Sequence, residues 1–156
     1  MNIFKSKKFI VCSIFIIATL CFIWGNSFES GESSMELSSD LQSRFSFIFS
    51  LFPADLSDEL KSYIFRKLAH FTEFFMLGCE IAVTNLLCFK ARLKNISNIV
   101  LFGISVALID ETIQLFTGRT SQVQDVILDF CGYICGTVFV LAFVFIIKCL
   151  KHKKLK

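Results

Sequence analysis

The chain has 156 residues, of which 54% are hydrophobic and 19% charged, with one proline and a formal net charge of +3. A water-soluble domain of this size could not bury that much apolar surface, because so much of a small fold is exterior. The length suits one domain spanning residues 1–156, and the small positive charge gives no ground for a nucleic-acid partner.

Four long apolar blocks run at about 9–25, 64–89, 96–116 and 126–147. Each is near the roughly 20 residues of helix that cross a hydrocarbon core, so the expected fold is an all-α membrane protein with four transmembrane helices. The first block has the layout of a signal peptide. No small-x-small site follows it, however, and Ala18-Thr19-Leu20-Cys21 lacks the small residue expected before a lipoprotein cysteine. It therefore reads as an uncleaved anchor.

The loop from Asn26 to Tyr63 opens with a polar, turn-rich stretch at 26–34. Arg44-Phe-Ser-Phe-Ile-Phe-Ser-Leu-Phe52 follows, closed by Pro53. This run is too short to span a bilayer and alternates too weakly for a strand, so a short in-plane interfacial helix is expected there. Asp55 is the expected cap of the next turn, with Leu56, Leu60 and Tyr63 on one side.

Orientation comes from the basic residues. Lys5, Lys7 and Lys8 precede the first block, Lys90, Arg92 and Lys94 follow the second, and Lys148, Lys151, Lys153, Lys154 and Lys156 follow the fourth. Odd numbers of crossings separate these clusters from the remaining loops, so all three can face the cytoplasm and both termini are expected there. Arg44, Lys61, Arg66, Lys67 and Arg119 stay on the outer side, dispersed among acids. The basic tail reads as a solvated stop-transfer flank, with contact to anionic membrane lipid as the alternative. The seven cysteines all lie in or beside apolar blocks, their count is odd and no CxxC occurs. Small buried hydrophobes are expected rather than a disulfide framework or a zinc site.

The chemistry lies in what interrupts the apolar blocks. His70, Glu73, Leu77 and Glu80 step by three or four residues and share one helical face. Asp110 and Gln114 share a face of the third helix, with Glu111 beside them. Asp125 and Asp129 are four apart at the start of the fourth, and Arg119 sits in the turn before it. Counted inward from Lys90 at the helical rise, Glu80 lies about 15 Å deep, Glu73 about 25 Å and His70 about 30 Å. Asp129 comes out at about 28 Å and Asp110 and Glu111 at roughly 20 Å from the same side, so the group converges in the outer leaflet. An acidic side chain at helix centre costs about 2.5–3.5 kcal/mol on insertion scales, so these residues must face one another, a cavity or a ligand. A helix-packing network is the plainer alternative, though interhelical hydrogen bonds average only about 0.6 kcal/mol. Gly132 and Gly136 form a GxxxG, expected to allow close approach within the bundle or in a homodimer.

These residues carry a resemblance. Arg66-Lys67, His70, Glu73, Asp110-Glu111, Gln114, Arg119, Asp125, Asp129, Gly132 and Gly136 resemble the signature of the VanZ-like family. Ile23-Trp-Gly-Asn-Ser27-Phe-Glu-Ser-Gly-Glu-Ser33 is similar to its N-terminal Ser-rich motif, with Trp24 in place of a phenylalanine. The resemblance implies a bacterial cytoplasmic-membrane protein whose namesake lowers susceptibility to the glycopeptide teicoplanin rather than to vancomycin. It brings no settled catalytic residue.

Three readings belong to different classes. In the first, the outer cluster of Lys67, His70, Glu73, Asp110, Glu111, Gln114, Arg119, Asp125 and Asp129 is a binding site. It acts on the cell envelope, on the glycopeptide or on a lipid-linked wall precursor, with Arg119 and Lys67 holding a phosphate or carboxylate. In the second, the cluster is the active site of a metal-assisted hydrolase or transferase on a lipid-linked substrate. His70, Glu73, Asp110 and Glu111 are then the candidate catalytic groups, and with Asp125 and Asp129 they offer enough ligands for a divalent metal. No HExxH or nucleophile motif supports it. In the third, the chain is a small transporter or channel subunit with Glu80 on a proton path, a reading without internal-repeat or broken-helix signals.

Overall fold

The computed structural model describes residues 6–28, 57–89, 94–118 and 122–154. These hold four α-helices and no strand: α1 Lys7–Phe28, α2 Asp58–Cys88, α3 Lys94–Phe116 and α4 Val123–Lys154. All four are long and apolar enough to cross a membrane. The molecule is the all-helical, multi-pass architecture that the apolar blocks predict.

The helices outrun the blocks at both kinds of end. Hydropathy stops α1 at Gly25, yet the helix continues through Asn26 and Ser27 to Phe28 because both polar side chains find partners on other helices. The second helix begins at Asp58, not near 64, and its cap is Ser57 rather than the expected Asp55. The Ser57 hydroxyl accepts from the Leu60 amide at 3.3 Å, which satisfies one of the first-turn donors. With 31 residues in α2 and 32 in α4, each helix is about 45 Å long and exceeds a hydrocarbon core of about 30 Å. The surplus turns carry charged residues, Glu59 and Lys61 at the start of α2 and Lys148, Lys151 and Lys153 at the end of α4. Arg119 and residues 29–56, including the expected in-plane helix and Asp55, lie outside the described residues.

Packing sets the order of the bundle. The closest-packed pair is α2 with α4, followed by α1 with α2, α3 with α4 and α1 with α3, while α2 and α3 barely touch. The helices thus form a ring in the order α1, α2, α4, α3, with α2 and α3 on a diagonal. Glycines explain the α2–α4 pair. A Cβ built on Gly132 would lie 2.5 Å from the Phe71 carbonyl oxygen, and one on Gly136 would strike the Phe75 carbonyl oxygen. Backbone meets backbone there, so the close approach of the GxxxG pair is made inside the bundle.

The core is small, made of Ile23, Phe74, Leu77, Val106, Ala107 and Tyr133. Tyr133 packs against Gly103, where a Cβ would enter its ring, and donates its hydroxyl to the Ile99 carbonyl at 2.9 Å. That bond satisfies the one polar atom of a side chain with no exposure. Around this core the outer faces of all four helices present Leu, Ile, Val and Phe side chains outward, as a bundle whose solvent is lipid requires. The cysteines follow the same rule and not the expected burial. None is buried, and Cys21, Cys131, Cys135 and Cys149 are exposed on the lipid-facing surface. In a four-helix bundle most positions look outward, and a thiol is apolar enough to do so.

Candidate functional site

One end of the bundle gathers the C-terminal end of α1, the N-terminal half of α2, the C-terminal end of α3 and the N-terminal turns of α4. Asp110, Glu111, Gln114, Asp129 and Ser27 are all buried at this end. Successive turns of α2 bring His70 and Glu73 onto the inward face above Phe74 and Leu77, both with no exposure.

Asp110 is the hub. Its Oδ1 accepts from the Ser27 hydroxyl of α1 at 2.6 Å, and its Oδ2 accepts from Gln114 Nε2, one turn on, at 2.7 Å. Gln114 Nε2 also reaches the Ser27 hydroxyl at 3.4 Å. Thr117 donates to the Ser27 carbonyl at 3.2 Å, which fixes the end of α1 against α3. His70 Nδ1 stands 3.9 Å from Asp110 Oδ2 and 4.0 Å from Glu73 Oε2. Its helix and that of Asp110 are diagonal in the ring, so their meeting puts the site on the bundle axis. Asn26 donates to Glu73 Oε1 at 2.9 Å and thereby orients the carboxylate beside the imidazole.

Asp129 completes the centre from α4. It is 1% exposed, and its Oδ2 has no hydrogen-bond partner. Ligating atoms of His70, Asp110 and Asp129 all lie within 4.8 Å of one another, the one such group among the described residues. The side chains of His70 and Glu73 are 15% and 14% exposed, and that of Asp110 is 0%. The histidine and the glutamate are thus the accessible lip of a site whose floor is Asp110, Asp129 and Ser27.

Residues 9–146 match the VanZ/LLP1 family profile, which takes in the length of the bundle and every residue of this centre. The chain belongs to the VanZ/LLP1 family. No curated protein and no solved structure matches it significantly.

In this VanZ/LLP1 chain the predicted site residues divide by place. His70, Glu73, Asp110, Gln114 and Asp129 meet on the axis. Lys67 and Asp125 form an ion pair at the rim, with side chains 25% and 13% exposed. The Lys67 ammonium also lies 5.1 Å from the centre of the Tyr63 ring. Glu111 faces the α3–α4 connection, where its Oε1 accepts from the Gln122 amide at 2.5 Å. It is thus tied to the start of α4 and is not one of the three residues whose ligating atoms converge. Glu80 lies about two turns deeper on α2 and accepts from Thr19 of α1 at 2.8 Å.

Asn26 and Ser27 of α1 belong to the Ser-rich motif read from the sequence but not to the site residues expected from it, and Thr19, which bonds Glu80, is in neither. The signal for the first two is that motif, polar residues adjoining an apolar block. Their role becomes visible once the helix is carried one turn past Gly25. The bonded Asn85 and Asn95, at 2.8 Å, lie at the opposite end beside a cavity of about 230 Å³ lined by Thr84, Asn98 and Phe102 among others. Among the described residues, none that lines it is ionisable.

Proposed function

We propose that this VanZ/LLP1 membrane protein resides in a bacterial cytoplasmic membrane, with both termini inside. There it lowers susceptibility to teicoplanin by engaging the polar head of an envelope lipid or lipid-linked wall precursor at the outer leaflet. The observation that carries this reading is the axial cluster itself. A histidine and two buried carboxylates stand on three different helices, beside an apolar Phe74–Tyr133 core and an α2–α4 glycine contact that involve none of them. Intramembrane ionisable groups held at such cost default to function. The partly exposed lip formed by His70 and Glu73, with Lys67 at the rim, suits a charged headgroup drawn in from the interface.

Expression in a glycopeptide-sensitive Gram-positive host tests it, with membrane abundance matched by immunoblot. The wild-type chain is expected to raise tolerance to teicoplanin and not to vancomycin, and Glu73→Gln and Asp110→Asn to abolish the gain. Equal protection by the near-isosteric variants would make the cluster a scaffold and defeat the proposal.

A further inference from the structure

We infer that His70, Asp110 and Asp129 bind one divalent first-row metal ion, Zn²⁺ or Mn²⁺, on the bundle axis; this deepens, and rests on, the reading of that end as the working site. The donor set is the first ground. One imidazole and two carboxylates, from α2, α3 and α4, place a ligating atom each within 4.8 Å of the others. Imidazole with carboxylate oxygens suits zinc or manganese and disfavours the softer, thiolate-seeking ions.

The second ground is independent of that proximity. Asp129 is 1% exposed and its Oδ2 has no hydrogen-bond partner. A buried carboxylate oxygen in a lipid-embedded bundle without a donor is costly. Asp110, by contrast, already accepts from Ser27 and Gln114. Asp129 thus keeps a buried oxygen free for a metal.

Charge balance agrees. Asp110 and Asp129 bring two negative charges to the centre with Glu73 a third carboxylate beside His70, an excess that favours a divalent cation, and Lys67 is engaged by Asp125 at the rim. The contacts around Asp110 also resemble those that orient a metal ligand: Ser27 and Gln114 bond its two oxygens. Such partners hold ligands in place, and losing one lowers metal affinity about 10–100-fold. Ligand atoms of a tetrahedral zinc site stand about 3.4 Å apart, from bonds of about 2.0–2.2 Å. Closing separations of no more than 4.8 Å to that spacing asks for a shift of at most about 1.4 Å. Three protein ligands leave a position open for water or for an anionic headgroup oxygen, the arrangement of a working rather than a structural site.

Full-length protein purified in detergent, stripped with a chelator and titrated with Zn²⁺ and with Mn²⁺ tests the assignment. Elemental analysis is expected to give about one equivalent of one of these metals per folded chain. His70→Gln and Asp129→Asn are expected to weaken binding by at least about 100-fold, beyond the loss seen for orienting partners. Glu80→Gln, which bonds to Thr19 away from the centre, should bind as wild type does. X-ray absorption on the loaded wild type needs no variant to fold and should show nitrogen and oxygen ligands with no sulfur. Failure of folded wild type to take up either metal overturns the inference. So does sulfur ligation, or undiminished binding by any folded ligand variant. Metal uptake is read without glycopeptide, so a chain that binds metal and gives no teicoplanin tolerance defeats the proposed function alone. Tolerance without metal uptake defeats the metal site alone.

Discussion

Replacing Ser27 with alanine isolates the bond that ties α1 to the centre. Its hydroxyl donates to Asp110 Oδ1 at 2.6 Å, and neither residue has any exposure. Hydrogen bonds to charged groups contribute about 1.5–3 kcal/mol in water-soluble folds. Interhelical polar contacts within bilayers average about 0.6 kcal/mol and reach about 1.7 kcal/mol, because the unfolded chain in the membrane also finds partners. The short distance and complete burial push this bond toward the upper membrane figure. Two contacts survive the substitution and pull it down: Gln114 still holds Asp110 at 2.7 Å, and Thr117 still holds the Ser27 backbone carbonyl at 3.2 Å. A coupling of about 1 kcal/mol between positions 27 and 110 is therefore expected. A double-mutant cycle of Ser27→Ala with Asp110→Ala measures it, followed by circular dichroism during unfolding by sodium dodecyl sulfate in mixed micelles. A coupling below about 0.4 kcal/mol, the spread expected of independent sites, would refute the claim that α1 is part of the site rather than a separate anchor.

Gly132→Ala places a Cβ 2.5 Å from the Phe71 carbonyl oxygen, about 0.9 Å inside ordinary contact. Overpacking of about 1–3 kcal/mol is set against a helix-propensity gain of about 1 kcal/mol, for a net loss of about 1 kcal/mol in the same unfolding assay. Gly25→Ala, with nothing within 4 Å, should instead be neutral or stabilising by up to about 1 kcal/mol; equal effects at both positions would contradict the described α2–α4 contact. Tyr133→Phe removes the donor to the Ile99 carbonyl and should lower stability by about 1 kcal/mol, with teicoplanin tolerance retained at matched abundance.

The four spans were legible because lipid is an undemanding solvent: an apolar run of about 20 residues is costly in water and at home in a bilayer. Where the helices end was less so. Hydropathy scores Asn26 and Ser27 as loop, but their bonds to Glu73 and Asp110 cancel the polarity that the scale penalises. Hydropathy alone starts the second span near Ile64, whereas Leu60 and Tyr63 on one side of a turn signal the earlier start, and only the cap moves, from Asp55 to Ser57. In the site, helical spacing was enough to align His70 with Glu73 and Asp110 with Gln114. It could not separate Asp110 from its neighbour Glu111, which points one residue, about 100°, around the helix and serves the connection to α4. That His70 and Asp110 meet across a diagonal depends on the ring order of the helices. That order is set by glycines on α4 whose partners, Phe71 and Phe75, are backbone atoms that no side-chain pattern reveals.

If the proposal is right, protection comes from the axial cluster, and the rest of the bundle only holds it in place. Teicoplanin tolerance conferred by Asp110→Asn, compared with that conferred by Tyr133→Phe at equal membrane abundance, tests this most directly. Lost protection from the first and retained protection from the second are expected. Protection from Asp110→Asn equal to that of wild type would contradict the proposal.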